Sequence, residues 1–254
     1  MGLGGRLKSM KSLDLFSGIG GFALGFHWAG IETAAFCEIE DYPVKVLNKN
    51  WPGVPVHRDI RKLDGKEYQG IDIVTGGFPC QPHSLAGKRL ASEDSRDLWG
   101  EMYRIICEAH PKWVVAENVP GLLSSESGRY FGRVLRDLAQ AGYCVQWFCI
   151  PASALGAWHK RERIWIIANS GSIRIQRLWQ EKIQRERTLP SRYNDLRFEG
   201  WPRLSDIHSP KLCRTSDGIP KKLDRIKGLG NAVVPQIPYL IGKAILEVEQ
   251  ESML

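Results

Sequence analysis

The sequence predicts an α/β fold with a mostly parallel sheet. Short apolar runs rich in β-branched and aromatic residues alternate with stretches that are apolar at helical spacing. Several of the runs end in glycines or in a carboxylate, which is where the strands of an open α/β sheet meet a ligand. The composition, 43% hydrophobic and 25% charged over 254 residues, is that of a globular chain.

Ser12 to Phe16 is the first strand and runs into Ser17-Gly18-Ile19-Gly20-Gly21. Phe22 to Ala29 is a helix stopped by Gly30, the residue that best tolerates a helix C-terminus. Ile31 to Phe36 is a strand ending at Glu38, and Asp41 to Asn50 is a helix closed before Pro52. Ile71 to Thr75 is a third strand and leads into Gly76-Gly77-Phe78-Pro79-Cys80. A helix over Asp97–Ala109 precedes a strand over Trp113–Ala116 that ends at Glu117-Asn118. A helix over Phe131–Ala141, a strand near Tyr143–Ile150 and a strand over Arg163–Ala168 complete the series. Alternation of this kind implies parallel strands covered on both faces by helices. From Asn169 to about Lys222 the periodicity weakens and Arg, Gln, Ser and Pro accumulate. That composition predicts a small irregular subdomain or a partly disordered insertion. Ile237 to Glu249 is apolar at helical spacing and closes the fold.

The net charge of +7 is unevenly placed. Between Pro151 and Gly230 stand 17 Lys and Arg against 8 Asp and Glu, so this stretch carries +9 and the remainder −2. Such a concentration is either a solvated basic surface or a polyanion-binding face, most naturally for nucleic acid. No apolar run approaches the ~20 residues that span a bilayer. The first 11 residues lack the apolar core of a signal peptide. Six scattered cysteines without a CxxC pair indicate neither a zinc site nor a disulfide framework, so no metal is expected. The expectation is a reduced, intracellular, soluble protein.

Five segments carry chemistry. In the first, glycines after a strand let the backbone approach a ligand, and the helix N-terminus behind them favours polar or anionic groups. Glu38, about 20 residues on, is spaced to accept hydrogen bonds from ribose hydroxyls, so the ligand is a nucleoside-containing cofactor. The loop lacks the lysine of a P-loop, which sets nucleotide hydrolysis aside. A nicotinamide-dependent dehydrogenase stays open on this motif alone, as does a plain tight turn. In the second, Cys80 follows a strand between Pro79 and Pro82, which stiffen the segment. A thiol there is either a nucleophile or a buried structural cysteine. In the third, Glu117 at a strand end is either a carboxyl aimed into the same crevice or a capping acid. In the fourth, His159-Lys160-Arg161-Glu162-Arg163 precedes a strand, and alternation places Arg161 and Arg163 on one face, or makes a solvated charge run. The fifth is Gly230-Asn231-Ala232-Val233-Val234-Pro235, at the entry to the last helix.

Taken together and in order, Asp14-Leu15-Phe16-Ser17-Gly18-Ile19-Gly20-Gly21, Pro79-Cys80-Gln81, Glu117-Asn118-Val119, Lys160-Arg161-Glu162-Arg163 and Gly230-Asn231-Ala232-Val233-Val234-Pro235 resemble the cytosine carbon-5 DNA methyltransferases of prokaryotic or phage type. The resemblance implies a Rossmann-like methyltransferase fold with a mostly parallel sheet plus a small basic target-recognition region. It implies S-adenosylmethionine as methyl donor and double-stranded DNA as substrate, with the target cytosine flipped out of the helix. Cys80 is then the nucleophile that adds to carbon 6. Glu117 bonds the ring nitrogen and amino group, Arg163 holds the base carbonyl and Glu117, and Arg161 adds positive charge nearby. Phe16 packs on the adenine. Ser17, Gly18, Gly20 and Gly21 pass the methionine part, and Glu38 takes the ribose. Ile39 lies under the adenine, Asp59 and Ile60 meet its edge, and Gly77, Leu98 and Asn231 complete the pocket. His83 to Asp97 resembles the loop that closes over DNA.

The division expected is a tail over 1–11, a catalytic domain over 12–168, a target-recognition region over 169–225 and a returning segment over 226–254. The recognition region, about 55–60 residues, is short for the family. His159 and Trp158 stand where relatives often carry Gln and Pro. The expected enzyme is a cytoplasmic, nucleoid-associated monomer without a membrane segment, compatible with a cognate restriction endonuclease acting separately, with a phage origin or with a solitary role. An RNA cytosine methyltransferase or a catalytically idle DNA-binding relative are the alternatives.

Overall fold

The computed structural model describes residues 9–79, 98–155, 157, 159–187 and 231–253, with the backbone alone at Trp179 and from Lys182 to Arg187. Cys80, the His83–Asp97 loop, Trp158 and the stretch 188–230, which holds most of the expected recognition region, lie outside the described residues.

The strands are β1 Lys11–Leu15, β2 Glu32–Cys37, β3 Val56–His57, β4 Ile73–Gly76, β5 Trp113–Asn118, β6 Cys144–Pro151 and β7 Glu162–Asn169. They form one sheet in the order β3-β2-β1-β4-β5-β7-β6. β1 to β5 pair in parallel, and β7 runs antiparallel between β5 and β6. The helices are α1 Gly21–Ala29, α2 Asp41–Asn50, α3 Trp99–Ala109, α4 Arg129–Gln140, α5 Ile173–Arg187 and α6 Gln236–Ser252. The mostly parallel sheet matches the expectation, as do the central strands to within a residue or two.

Alternation along the strands sends side chains to two cores. Leu13, Leu15, Val74, Val114 and Ala116 pack with Trp99, Met102 and Ile105 of α3 and with Val134 and Leu138 of α4. Ile73, Trp113, Val115, Trp165 and Ile167 pack with Phe22 and Phe26 of α1 and with Ile237, Ile241 and Ile245 of α6. Burying each such side chain contributes roughly 1.5–3 kcal/mol. Glu249 of α6 accepts hydrogen bonds from Lys112 Nζ at 2.5 Å and Trp113 Nε1 at 2.8 Å, which fastens α6 to the start of β5. Where α6 begins, a Cβ on Gly25 would stand 2.2 Å from the Pro235 carbonyl oxygen. Only glycine there lets the 231–235 segment lie on α1 and reach the upper edge of the sheet.

Two expectations are corrected. The segment after Asn169 is not irregular throughout, because Ile173–Arg187 forms α5. Ile175 is buried and Leu178 partly buried in the α6 cluster. Among the described side chains these two apolar positions, three residues apart, pack on α6, and the many Arg, Gln and Glu of the helix hide the periodicity. Nor does a tail extend to residue 11. Met10 is buried, its carbonyl accepts the Glu32 N–H at 3.0 Å, and Lys11 opens β1.

Candidate active site

Chain connections leave β1 toward β2 on one side and reach β4 on the other. A crevice therefore opens at the C-terminal ends of β1 and β4, the switch point of an open α/β sheet. The loop after β1 enters it with Phe16 and Gly18 at positive φ, 53° each. For Phe16 this left-handed conformation is strained. Ser17 locks the turn, since its Oγ donates to the Asp14 carbonyl at 2.6 Å and accepts the Cys37 N–H at 3.2 Å. Glu38 closes the corner. Its carboxylate accepts the N–H of Gly18 at 2.7 Å and of Glu40 at 2.8 Å.

The crevice is a cleft of about 460 Å³, a volume suited to a small organic ligand. The cofactor-side residues expected from the sequence that line it are Phe16, Gly18, Glu38, Ile39, Asp59, Ile60, Gly77, Leu98 and Asn231. Glu117, Arg161 and Arg163 line it too. Ser17, Gly20 and Gly21 stand behind the wall. A Cβ on Gly20, at φ 87°, would meet the Trp51 ring at 2.6 Å, and one on Gly21 would meet the Val233 carbonyl at 2.5 Å. These two glycines are required by neighbouring chain, whereas a Cβ on Gly18 meets nothing within 4 Å. Pro79, next to Cys80, lines the cleft.

Glu117 sits on the far wall, 9% exposed. Arg163 Nε lies 3.0 Å from its Oε1. The carboxylate leans over Gly77, where a Cβ would come within 3.3 Å of Oε2. Burial pushes the Glu117 pKa above the ordinary glutamate value, and Arg163 and Arg161 pull against that shift. Burial, with Arg163 beside it, lowers the pKa of Arg161. Arg161 itself precedes β7 with φ 25°, so strand alternation does not bring it to the cleft. Instead its Nη2 donates to the Ala232 carbonyl at 2.7 Å, joining the arginine motif to the Asn231 motif. A buried carboxyl that holds a proton more readily than an ordinary glutamate, beside two guanidinium groups, can pass a proton to a heterocyclic nitrogen while the arginines donate to a carbonyl oxygen.

Sequence reasoning passed over three residues. Asn118 Nδ2 donates to the Phe78 carbonyl at 2.9 Å and its Oδ1 accepts the Val119 N–H at 2.8 Å. This ties the strand end to the segment leading to Cys80, and the Glu117-Asn118-Val119 motif carried the signal. Asp14 is fully buried and accepts the Thr75 hydroxyl at 2.7 Å. An acid inside an apolar strand was the clue. Arg58 lines the cleft, and nothing in its sequence context marks it.

The profile of C-5 cytosine-specific DNA methylases matches residues 10–216. The chain belongs to this family. Among its curated relatives, the type II methyltransferase M.NgoMIV of Neisseria gonorrhoeae is 39% identical over 62% of this chain and 51% of its own length. The type II methyltransferase M1.ScrFI of Lactococcus lactis subsp. cremoris is 40% identical over 64% and 42%. The chain thus spans about half the length of the curated methylases it matches. In structure it is similar to a prophage-encoded DNA modification methyltransferase of E. coli, with 28% identity, a TM-score of 0.56 and coverage of 63% of this chain and 47% of that one. Spodoptera frugiperda DNMT2 shares the fold at 24% identity and a TM-score of 0.56, over 65% of this chain and 51% of that one. The fold is the Rossmann-like methyltransferase fold expected of the family. Among the described residues no helix is long and apolar enough to cross a membrane.

Proposed function

We propose that the chain is a DNA (cytosine-5-)-methyltransferase that moves a methyl group from S-adenosylmethionine to carbon 5 of a flipped cytosine in double-stranded DNA. The observation that carries the proposal is the buried Glu117–Arg163 pair at 3.0 Å, facing across one cleft the corner where Glu38 holds the Gly18 N–H at 2.7 Å. A nucleoside cofactor suits that corner. The Glu38 oxygens keep lone pairs for hydroxyls, Ile39 offers an apolar ledge that is 61% exposed, and Glu38 and Asp59 favour a cation. Phe16, Ile60, Gly77, Leu98 and Asn231 complete the proposed pocket. The basic stretch from Pro151 to Gly230 suits phosphates. The protein is proposed to act as a monomer in the cytoplasm of a bacterial or phage-infected cell.

The chemistry follows from the poor nucleophilicity of cytosine carbon 5. The Cys80 thiolate adds to carbon 6 and the ring electrons shift toward nitrogen 3, which takes the proton of the Glu117 carboxyl. Carbon 5 is then enamine-like. Bound S-adenosylmethionine supplies the electrophilic methyl group. Loss of the carbon-5 proton to a base expels the Cys80 thiolate and restores the ring, and the nitrogen-3 proton returns to Glu117. Arg163 keeps Glu117 in place and bonds the carbonyl oxygen of the base, and Arg161 stabilises negative charge beside it.

Bisulfite sequencing of a plasmid from cells expressing the protein, beside its Cys80→Ala variant, tests this. The expected result is methylated cytosines in one short sequence context, absent in the variant. No methylation from a folded protein that binds S-adenosylmethionine overturns it.

A further inference from the structure

We propose that Arg58 is a positioning residue for the adenine end of the cofactor, a role that rests on reading the cleft as an S-adenosylmethionine site. Arg58 follows β3 and lines the cleft mouth. Its Nη2 donates to the Ile39 carbonyl at 2.8 Å and to Asp41 Oδ1 at 2.5 Å. The Ile39 carbonyl lies on the short strap that joins β2 to α2, and Asp41 is the first residue of α2. The inner end of that strap is already fixed, because the Glu38 N–H donates to the His57 carbonyl at 2.9 Å and the Glu38 carboxylate accepts the Glu40 N–H. Ile39 is 61% exposed, so packing does not hold its side chain over the cleft. The Arg58 bond to the Ile39 carbonyl sets where that ledge stands, and the ion pair to Asp41 braces the arginine.

Water weakens this arrangement when the cleft is open, since the two side chains are 53% and 78% exposed and such pairs are worth little. A flat ring laid on Ile39 removes water from the strap and strengthens both bonds. Arg58 and the nucleoside therefore support each other without direct chemistry between them. The guanidinium keeps the Asp41 carboxyl below its usual range.

Calorimetric titration of the whole protein with S-adenosylmethionine, S-adenosylhomocysteine and adenosine tests the assignment. Arg58→Ala is expected to weaken all three by the same factor, about fivefold. Arg58→Lys regains part of the loss, because an ammonium reaches one acceptor better than two. In turnover the loss falls on KM for the methyl donor rather than on kcat. Affinities within about 1.5-fold of wild type in Arg58→Ala overturn the proposal. So does a change confined to S-adenosylmethionine, the only one of the three ligands with a sulfonium, because the adenine end is common to all three. If the wild-type protein binds none of the three ligands, the cofactor reading falls and Arg58 falls with it. If the wild type binds and the variant does not differ, only the role of Arg58 is lost.

Discussion

Two carboxylates stand at strand ends of the same sheet, Glu38 after β2 and Glu117 near the end of β5, and they are almost equally buried at 8% and 9% exposure. Their surroundings differ in kind. Glu38 is held by two backbone N–H groups, of Gly18 and Glu40, which are neutral dipoles fixed by the chain. Glu117 is held by the side chain of Arg163, with Arg161 nearby, and burial still keeps its pKa raised. The backbone amides fix the direction in which the Glu38 oxygens point. Burial set against guanidinium charge leaves a carboxyl that can give up or regain a proton within one reaction. In the proposed reaction one residue type thus serves as anchor on one wall and as proton carrier on the other.

The largest expected effect tests the proton-carrying wall. Glu117→Gln keeps the shape and removes the acid. Single-turnover methyl transfer should fall by roughly 10²–10⁴-fold, while calorimetry should show affinity for S-adenosylmethionine within about twofold of wild type. A matching loss of affinity would break the division between the two walls.

The next effect tests the anchor. Glu38→Gln puts an amide NH₂ where a carboxylate oxygen now accepts a backbone N–H, so one of the two N–H groups loses its partner. Hydrogen bonds to charged groups contribute about 1.5–3 kcal/mol, which places the loss of cofactor affinity between roughly 10- and 150-fold. At saturating cofactor the turnover rate should stay within a few-fold of wild type. A collapse of turnover with affinity intact would show that Glu38 takes part in the chemistry.

The place of both carboxylates on the cleft was legible in the sequence, because each stands at a strand end and the flanking glycines and asparagine mark the spot. What was not legible depends on contacts between distant parts of the chain. The glycines of the first loop look alike in sequence. In the fold Gly18 faces the open cleft, Gly20 faces Trp51 and Gly21 faces Val233. Arg161 reaches the cleft through a positive φ and the Ala232 carbonyl, which no strand period predicts. Helix α5 hides behind its charge, and among its described side chains Ile175 and Leu178 are the ones that join the α6 cluster. Arg58 gains its place from Ile39 and Asp41 across a strand-to-helix connection.

The smallest effect concerns a third carboxyl, which has burial without a cation. Asp14 is fully buried one layer below the glycine loop. Thr75 donates to one of its oxygens, and the other has no hydrogen-bond partner among the described residues. Burial raises its pKa from 3.8 to about 7, against the Thr75 hydrogen bond and with help from the charge of Glu38. The folded protein therefore holds this proton more tightly than the unfolded chain does. Between pH 4 and 7 the native state binds more protons at this site, so its contribution to stability is full at low pH and declines as pH rises. The slope for one proton is at most about 1.4 kcal/mol per pH unit. Asp14→Asn removes that slope and can still accept the Thr75 hydroxyl. Urea unfolding at pH 5, 6 and 7 should show the variant gaining on the wild type with each step, whatever slope the other carboxylates impose on both. A difference that stays constant with pH would mean that Asp14 is ionised throughout. Burial alone would then not keep a carboxyl protonated in this sheet, and Glu117, whose upward shift has the same cause against two arginines, would be expected to lose its proton as readily.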